Sequence, residues 1–357
     1  MPLTVLITGA GGPLGVNVTR SLRQAPDPLV LVGTDANRWH LPLALCDRVV
    51  LIPPTRERDG YARALERLIA DGVQVILPTH PVEVRAVAEL LAAGRLAGAQ
   101  VALPALDVLE RADDKLATQR VLAAAGVPVP RTDLLGGEAD LARAFAEMAP
   151  PVWVRGSGAP GLGIGAAALP CRDIDVARAW VEHHRGWGRM IACEYLPGRN
   201  LTWMSAWSRG RLLATAARER LEYVLPHVAP SGITGAPAVS RTVRRADMAS
   251  VAEAAVRALD REPHGVYFVD LKEDAAGAPR VTEINAGRCG TTVHFYTEAG
   301  FNFPWLLVCL AAGLDLGWLP ASPYDVVPED LYWVRTLDCG PVLVRGGAAF
   351  DAYPRLP

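Results

Sequence analysis

The chain has 357 residues, with 36 basic and 38 acidic side chains, and half of its residues are hydrophobic. This composition is too apolar for a disordered protein and allows two or three domains of about 100–200 residues each. The balanced charge, without a run of Lys or Arg, argues against a nucleic-acid partner, and every apolar stretch is shorter than the ~20 residues of a membrane span.

The amino terminus and the cysteines indicate a cytoplasmic protein. Residues 1–5 have no basic region ahead of the apolar run, so they predict a first strand rather than a signal peptide. The six cysteines form no Cys-x-x-Cys pair, which argues against a zinc ribbon or a dithiol redox motif. Scattered cysteines of this kind are typical of a reducing compartment.

The first hundred residues alternate short apolar runs with helical patterns. The predicted strands cover 4–7, 29–33, 48–52 and 73–78, and the predicted helices end at Leu22, Ala70 and Leu91. Strands separated by helical segments of ~10–15 residues predict a parallel, doubly wound, Rossmann-like sheet. The alternation stops near 104–111, so we place a domain boundary at residue 108.

The turn after the first strand also fits a dinucleotide-binding fingerprint. Residues 9–15 carry glycine at every third position, and Asp35 follows twenty residues later. Alone, this pattern predicts a nicotinamide-dependent reductase. Reductases with this spacing usually carry a Tyr-x-x-x-Lys pair, but neither Lys115 nor Lys272, the only lysines of the chain, has that tyrosine. A reductase is therefore the less favoured alternative.

The rest of the chain predicts an α+β region. Asp113 and Asp114 open a helix that ends at Gly126, because Val-Pro-Val-Pro follows it. The later predicted elements are a helix over 244–259, strands over 265–271 and 280–285, and short strands packed on the body after Gly313. Because 34 of the 36 basic residues are arginines, the two lysines are candidates for roles that need a compact ammonium group.

Two strands late in the chain carry the most informative pattern. The turn-like residues between them predict an antiparallel hairpin, centred between Ala276 and Gly277. This register places Asp270 opposite Glu283, with side chains ~5 Å apart on one face. Asn285 shares that face because side chains alternate along a strand.

Two carboxylates and an amide without Cys or His favour a hard cation such as Mg²⁺. The alternative is a pair of surface carboxylates that face water. Lys272 lies on the same face as Asp270, where it meets anionic phosphate or pairs with Asp270. Because Val269 and Ile284 make the hairpin half-buried, we favour the metal site.

Two further segments have features of a nucleotide site. A strand over 152–155 delivers Arg155 into the loop 156–165, which contains five glycines, and such a loop exposes backbone N–H groups to phosphate. The run 190–198 is a strand that ends in a tight turn, where a flat base can meet backbone groups. Each segment alone has a plain structural alternative: an unliganded surface turn and an edge strand.

The order of these parts resembles the ATP-grasp superfamily, in the branch similar to the carbamoyl phosphate synthetase large subunit and the related amino-acid ligases. The resemblance covers residues 3–312 and is carried by Glu283-Ile284-Asn285 and by the segments 114–118 and 125–130. It implies an α/β and α+β protein, with an amino-terminal Rossmann-like domain over 1–108 and a two-lobed ATP-grasp domain over 109–314. Within the latter, 150–195 form the smaller lid lobe, and 315–357 form a tail on the body.

The resemblance also implies the site residues. ATP binding is expected at Lys115, Arg155, Gly156, Ser157, Gly158, Gly161, Gly163, Glu194, Tyr195, Leu196 and Asn200. Two Mg²⁺ ions are expected at Asp270, Glu283 and Asn285. Catalytic roles are expected for Lys272, Arg218, Arg220 and Arg288, although here Asn-Ala-Gly-Arg replaces the shorter Asn-Pro-Arg of the synthetase branch. Ser231 and His294 are expected to face the substrate.

The implied activity is ADP-forming amide synthesis. The γ-phosphoryl group of ATP passes to the carboxylate of a small molecule, and an amine then attacks the acyl phosphate. The implied partners are a small-molecule acid and amine, without nucleic acid or membrane, and a homodimer is left open. A non-catalytic ATP-binding module is the second alternative to the ligase.

Overall fold

The structure is a computed structural model that describes residues 2–158, 168–233, 236–336 and 342–345. Its secondary structure forms three sheets, of four, seven and four strands, with helices packed against them. Among the described residues, no helix combines the length and the apolar character needed to cross a membrane.

The amino-terminal sheet is parallel, as the alternating pattern predicts. Its elements are β1 Leu3–Thr8, α1 Pro13–Leu22, β2 Leu29–Asp35, β3 Arg48–Leu51, α2 Arg58–Ala70, β4 Val75–Leu77 and α3 Pro81–Ala92. The strand order is β3-β2-β1-β4, and all three pairings are parallel. The chain therefore reverses its direction of winding between β1 and β4, where α/β sheets open a crevice at the carboxyl ends of the strands.

Close backbone packing accounts for the glycines of the first turn. Gly9 has a φ of +58°, and a Cβ on Gly15 would lie 2.3 Å from the Gly9 carbonyl oxygen. A Cβ on Gly11 would lie 2.0 Å from the carbonyl oxygen of His40. Packing therefore accounts for Gly9 and Gly15 of the fingerprint, whereas a Cβ on Gly12 would meet only the Gly9 carbonyl oxygen, at 3.3 Å.

Two helices connect the first sheet to the rest of the chain. They are α4 Leu106–Asp113 and α5 Lys115–Ala124. The sequence pattern missed α4, which begins at the point where the alternation of strands and helices stops. The start of α5 is as predicted, because Asp114 caps it by accepting a hydrogen bond of 3.0 Å from the Ala117 backbone N–H.

A four-stranded antiparallel sheet follows α5. Its elements are β5 Thr132–Leu134, α6 Glu138–Met148, β6 Val152–Gly156, β7 Leu169–Cys171, α7 Ile174–His183 and β8 Met190–Glu194. The strand order is β5-β8-β6-β7. Two elements of this part of the chain, β5 and α6, lie ahead of the range 150–195 predicted for the smaller lobe.

The largest sheet has seven strands. Its part of the chain contains β9 Asn200–Ser208, β10 Arg211–Tyr223, β11 Pro237–Thr242, α8 Ala246–Leu259, β12 Gly265–Glu273, β13 Pro279–Ala286, α9 His294–Glu298, α10 Phe303–Ala312, β14 Leu331–Val334 and β15 Val342–Arg345. The strand order is β13-β12-β9-β10-β11-β14-β15. The two strands after residue 313 thus extend this sheet at the β11 side.

Side chains along the central strands point alternately to an apolar and a polar face of this sheet. Trp203 on β9 and Val269 and Leu271 on β12 are buried in one apolar core with Met248 and Val256 of α8. Because side chains alternate along a strand, the residues between them point to the opposite face. That face carries Asp270 and Lys272, and it is turned away from α8.

Candidate active site

A cavity of about 380 Å³ lies between the four-stranded and the seven-stranded sheet. The smaller sheet supplies Trp153, Arg155, Ile191 and Cys193 from β6 and β8, together with Glu194. The larger sheet supplies Asn200, Arg218, Arg220, Phe268, Asp270, Lys272, Glu283 and Asn285. The cavity is thus walled by two antiparallel sheets, with charged residues concentrated on the larger one.

The hairpin of β12 and β13 has the predicted pairing at Asp270 and Glu283. Asp270 is opposite Glu283, and Phe268 is opposite Asn285. The register then shifts by one residue, so that Leu271 pairs with Val281 and Thr282 is the extra residue of a bulge. The pattern did not predict the bulge. On its turn side the hairpin is centred on Ala276, not between Ala276 and Gly277 as predicted, and the extra residue produces the predicted pairing at Asp270.

Glu283 is held as an anion by two cations from different elements. Lys115 Nζ, at the start of α5, lies 3.8 Å from Glu283 Oε1, and Arg155 Nη2 donates to Oε2 at 2.9 Å. Burial alone would raise the pKa of Glu283, but the two cations outweigh it and hold the pKa at about 2. Glu283 is therefore ionised at neutral pH.

Asp270 has its own set of partners. Thr202 Oγ1 donates to Asp270 Oδ1 at 3.1 Å, and Arg220 Nη2 lies 3.4 Å from the same oxygen. Burial raises the pKa of Asp270 above its usual value, the nearby Glu283 charge adds to the rise, and Arg220 opposes it. The two carboxylates thus titrate differently although they are direct neighbours.

The donor set of the hairpin fits a hard divalent cation. Asp270, Glu283 and Asn285 offer carboxylate and amide oxygens into one cavity, which are the ligands that Mg²⁺ prefers. Within the described ranges there is no group of three His, Cys, Asp or Glu side chains that could hold a metal ion. Asn285 Oδ1 accepts a hydrogen bond of 2.6 Å from Arg288 Nη2.

Both lysines of the chain line this cavity. Lys272 does not pair with Asp270: its Nζ donates to the Gly198 carbonyl at 3.1 Å and to Asn200 Oδ1 at 3.2 Å. Burial lowers the pKa of both ammonium groups. The compositional argument therefore selected two residues that the fold brings to one site.

The cavity has an apolar wall that sequence reasoning largely missed. Ile191 and Cys193 on β8 and Trp153 on β6 line it, and the Trp153 ring centre lies 6.4 Å from that of Tyr195. Tyr195 and Leu196 were predicted and do line the cavity. The alternation along β6 shows that Trp153 shares a face with Arg155, which is the signal that was available in the sequence.

Some predicted residues lie elsewhere. His294 does not line the cavity: its Nδ1 lies 3.3 Å from Ser21 Oγ on α1, and its Nε2 lies 3.3 Å from Glu298. The prediction that His294 faces the substrate is therefore not supported by its position, which is outside the cavity lining. Ser231, by contrast, lines the cavity, and its Oγ is 3.3 Å from the backbone N and O of Ile233.

The glycine loop is described only at its start. Gly156 ends β6, and the Ser157 carbonyl accepts a hydrogen bond of 2.8 Å from the Lys115 backbone N–H. Gly158 has a φ of +98° and lines a smaller neighbouring cavity that shares Lys115 with the main one. Gly161 and Gly163 lie outside the described residues.

Solved structures of similar fold are known, although no protein-family model and no curated protein matches the chain. An L-amino acid ligase from Bacillus licheniformis is 15% identical, with a TM-score of 0.64 over 93% of this chain and 78% of that one. A carboxyaminoimidazole ribonucleotide synthase from Aspergillus clavatus, complexed with ATP, is also 15% identical, with a TM-score of 0.68 over 93% and 81%.

A third structure, the biotin carboxylase–β-γ-ATP complex from Campylobacter jejuni, is 15% identical, with a TM-score of 0.67 over 92% of this chain and 74% of that one. At such low identity the likeness concerns the fold. The fold class predicted from the sequence is confirmed over more than nine-tenths of the chain.

Proposed function

We propose that this chain, which has the ATP-grasp fold, is an ATP-dependent ligase that joins a small-molecule carboxylate to an amine. The reaction would form an acyl phosphate and then an amide, with release of ADP and phosphate. The observation that carries the proposal is the pairing of Asp270 with Glu283 on one face of a hairpin, inside a cavity lined by six cationic side chains.

The cavity has room and chemistry for the nucleotide. The apolar wall formed by Trp153, Ile191 and Leu196 suits a purine ring, and the ammonium of Lys115 and the guanidinium of Arg155 suit its phosphates. Asp270, Glu283 and Asn285 would hold Mg²⁺, which when bound neutralises phosphate charge. The three solved structures above support this proposal, because two of them are complexes with ATP or β-γ-ATP.

The charged groups match what phosphoryl transfer between two anions requires. Transfer to a carboxylate depends on charge neutralisation and in-line positioning more than on a protein nucleophile. Arg220 and Arg288 both lie beside the metal-binding residues, since Arg220 contacts Asp270 and Arg288 contacts Asn285. We therefore assign these arginines to the transferred phosphoryl group and the acyl phosphate.

The experiment that tests the proposal is an ADP-release screen over pairs of small acids and amines. We expect ADP release that depends on both an acid and an amine, and that falls by about a hundredfold or more in Glu283→Gln. The matched control is Glu138→Gln, which changes a surface ion pair with Arg178. ATP binding without ADP release from any pair would indicate a binding module, and an acid-dependent rate in Glu283→Gln equal to the parental rate would refute the metal assignment.

A further inference from the structure

Arg218 is a buried cation without a carboxylate partner among the described residues. Arg218 lies on β10, is 2% exposed to solvent and lines the main cavity. Its Nη1 donates to Thr292 Oγ1, whereas its buried Nε has no hydrogen-bond partner within the described part of the chain. Because an uncompensated buried charge is energetically costly, this arrangement calls for an anion from outside the chain.

Two aromatic rings hold the guanidinium in place. Its Cζ lies 5.5 Å from the Phe268 ring centre and 6.0 Å from that of Tyr296. Ring faces attract a cation, but more weakly than a carboxylate does. The rings and Thr292 therefore orient Arg218 and leave its charge available to a ligand in the cavity.

Arg218 makes no direct ion pair with the acidic pair, although the Asp270 charge acts on it at longer range. In the sheet, Arg218 on β10 is opposite Thr202 on β9, and Thr202 is opposite Asp270 on β12. Two strand spacings put about 10 Å between the backbones of Arg218 and Asp270. The Arg220 side chain spans this distance and contacts Asp270. The Arg218 side chain instead donates a hydrogen bond to Thr292, which lies in the segment after β13.

The charge of the cavity supports a second anion. Among the described residues, its lining contains six cationic side chains and three acidic ones, Glu194, Asp270 and Glu283, an excess of three positive charges. A nucleoside triphosphate with two divalent cations is close to neutral and leaves that excess unchanged. The reacting carboxylate of the acid removes only part of it.

We propose that Arg218 binds a second, non-reacting anionic group of the acid substrate, so that the substrate class is a short dicarboxylate or another carboxylic acid with a second negative group. This inference rests on the proposed function and names the substrate class of the same cavity. No bond forms or breaks at the second group. It pairs with the Arg218 guanidinium beside Phe268 and Thr292 while the other carboxylate is activated.

Binding of acids to the protein loaded with Mg²⁺ and a non-hydrolysable ATP analogue tests the proposal. Calorimetry would compare succinate and glutarate with their monomethyl esters, which differ mainly by one negative charge. We expect at least one diacid to bind about 30-fold or more tightly than its ester in the parental protein, and this ratio to fall close to one in Arg218→Met. Arg218→Lys, which keeps the charge but loses the planar fork, should give an intermediate ratio.

The matched control is Arg143→Met, which removes an exposed arginine paired with Asp140 and should keep the parental ratio. The proposal is overturned if diacid and ester bind alike, if neither diacid binds, or if the ratio persists in Arg218→Met. ADP release, measured in separate reactions that contain ATP in place of the analogue, the same acids and an amine, separates the two hypotheses. If diacids bind more tightly than their esters but no ADP is released, the ligase proposal is refuted and the Arg218 subsite is not. If ADP release depends on the acid but diacids and esters bind alike, the Arg218 subsite is refuted and the ligase proposal is not.

Discussion

Lys115 and Glu283 meet although 168 positions separate them in the sequence: Nζ at the start of α5 lies 3.8 Å from Oε1 on β13. Together with Arg155, which contacts the other carboxylate oxygen, this contact keeps a partly buried carboxylate ionised. The proposed Mg²⁺ site requires the anionic form that these two cations stabilise. That arrangement links the stability of the fold to the charge of Glu283.

The first prediction concerns the free energy of unfolding at acidic pH. The pKa of Glu283 is lowered from 4.5 to about 2 in the folded chain, so its ionised form stabilises the fold above pH 4.5, and this contribution is lost as the pH falls toward 2. The free energy of unfolding of the parental protein should exceed that of Glu283→Gln at pH 6, and the gap should shrink by up to about 3 kcal/mol on acidification.

Urea unfolding at pH 6, 4 and 3 measures this gap. Glu138→Gln provides the comparison, because its exposed carboxylate pairs only at the surface. A gap between the parental protein and Glu283→Gln that stays constant over the three pH values would contradict the coupling of Glu283 to Lys115 and Arg155.

The second prediction concerns a buried acid in the amino-terminal domain. Burial, aided by the Asp35 charge, raises the pKa of Glu83 to about 7 against an opposing hydrogen bond from Thr8 Oγ1 at 3.0 Å. The folded state therefore prefers protonated Glu83, and stability is lost as the pH rises from 4.5 through 7. Glu83→Gln should gain stability relative to the parental protein between pH 5 and pH 8, by about 3 kcal/mol.

Thermal or urea unfolding of both proteins at pH 5 and pH 8 tests the Glu83 prediction. The amide of Gln can still accept the Thr8 hydrogen bond, so the change isolates the titration. An effect of Glu83→Gln that is the same at both pH values would show that Glu83 does not titrate in this range.

The third prediction uses the presence of only two lysines. Because Lys115 and Lys272 both line the cavity, Mg²⁺ and ATP should protect both from an amine-reactive reagent, and Lys272 should react faster without nucleotide because Lys115 is 6% exposed. Peptide mapping by mass spectrometry reads out each lysine separately. In urea the two should react alike, and an absence of protection by nucleotide in the folded protein would contradict nucleotide binding in this cavity.

The fourth prediction compares two glycines of the hairpin. Gly265 and Gly277 have similar positive φ values of +87° and +81°, but a Cβ on Gly265 would lie 2.7 Å from the Ala102 carbonyl oxygen, whereas Gly277 has nothing within 4 Å. Gly277→Ala should cost about 1–2 kcal/mol of stability from backbone strain alone. Gly265→Ala should cost about 1–3 kcal/mol more, since it also forces a clash.

Chemical denaturation of the two glycine variants, beside the parental protein, measures the difference. If both substitutions lower the free energy of unfolding equally, the segment around Ala102 moves to make room for the added methyl group. The start of β12 would then not be fixed against that segment.

The acidic pair was predictable only in part, from a turn near Gly277 between two strand-like runs. The turn alone does not give the observed pairing. Beside it Leu271 pairs with Val281, and that register continued along the strands would place Asp270 opposite Thr282. The extra residue Thr282 brings Glu283 opposite Asp270. One extra residue does not alter composition or pattern, so the sequence does not indicate it.

Elements that are buried on both sides were harder to predict. β9 is buried at seven consecutive positions from Leu201 to Trp207, so it shows no alternation of apolar and polar residues. α10 is apolar on every face and is buried from Phe303 to Cys309. Periodicity marks a boundary between core and water, and these elements have no such boundary.

The partners of Arg218 depend on tertiary structure alone. Thr292 and Phe268 reach it from other elements of the fold, and no spacing in the sequence indicates that they meet. The same holds for Trp153, whose role as a cavity wall requires the two sheets to face each other. Sequence reasoning therefore selected charged residues that line one cavity, but it did not find the residues that surround them.

Helix α5 contacts both sheets that wall the cavity, one through hydrogen bonds and the other through apolar packing. Gln119 Nε2 donates to the carbonyls of Val281 and Thr282 at 3.1 and 3.3 Å, while Leu116 packs with Ile191 and Cys193 of the smaller sheet. The helix that carries Lys115 is therefore fixed against both sheets, and the spacing of the Lys115 ammonium and the Glu283 carboxylate depends on both sets of contacts.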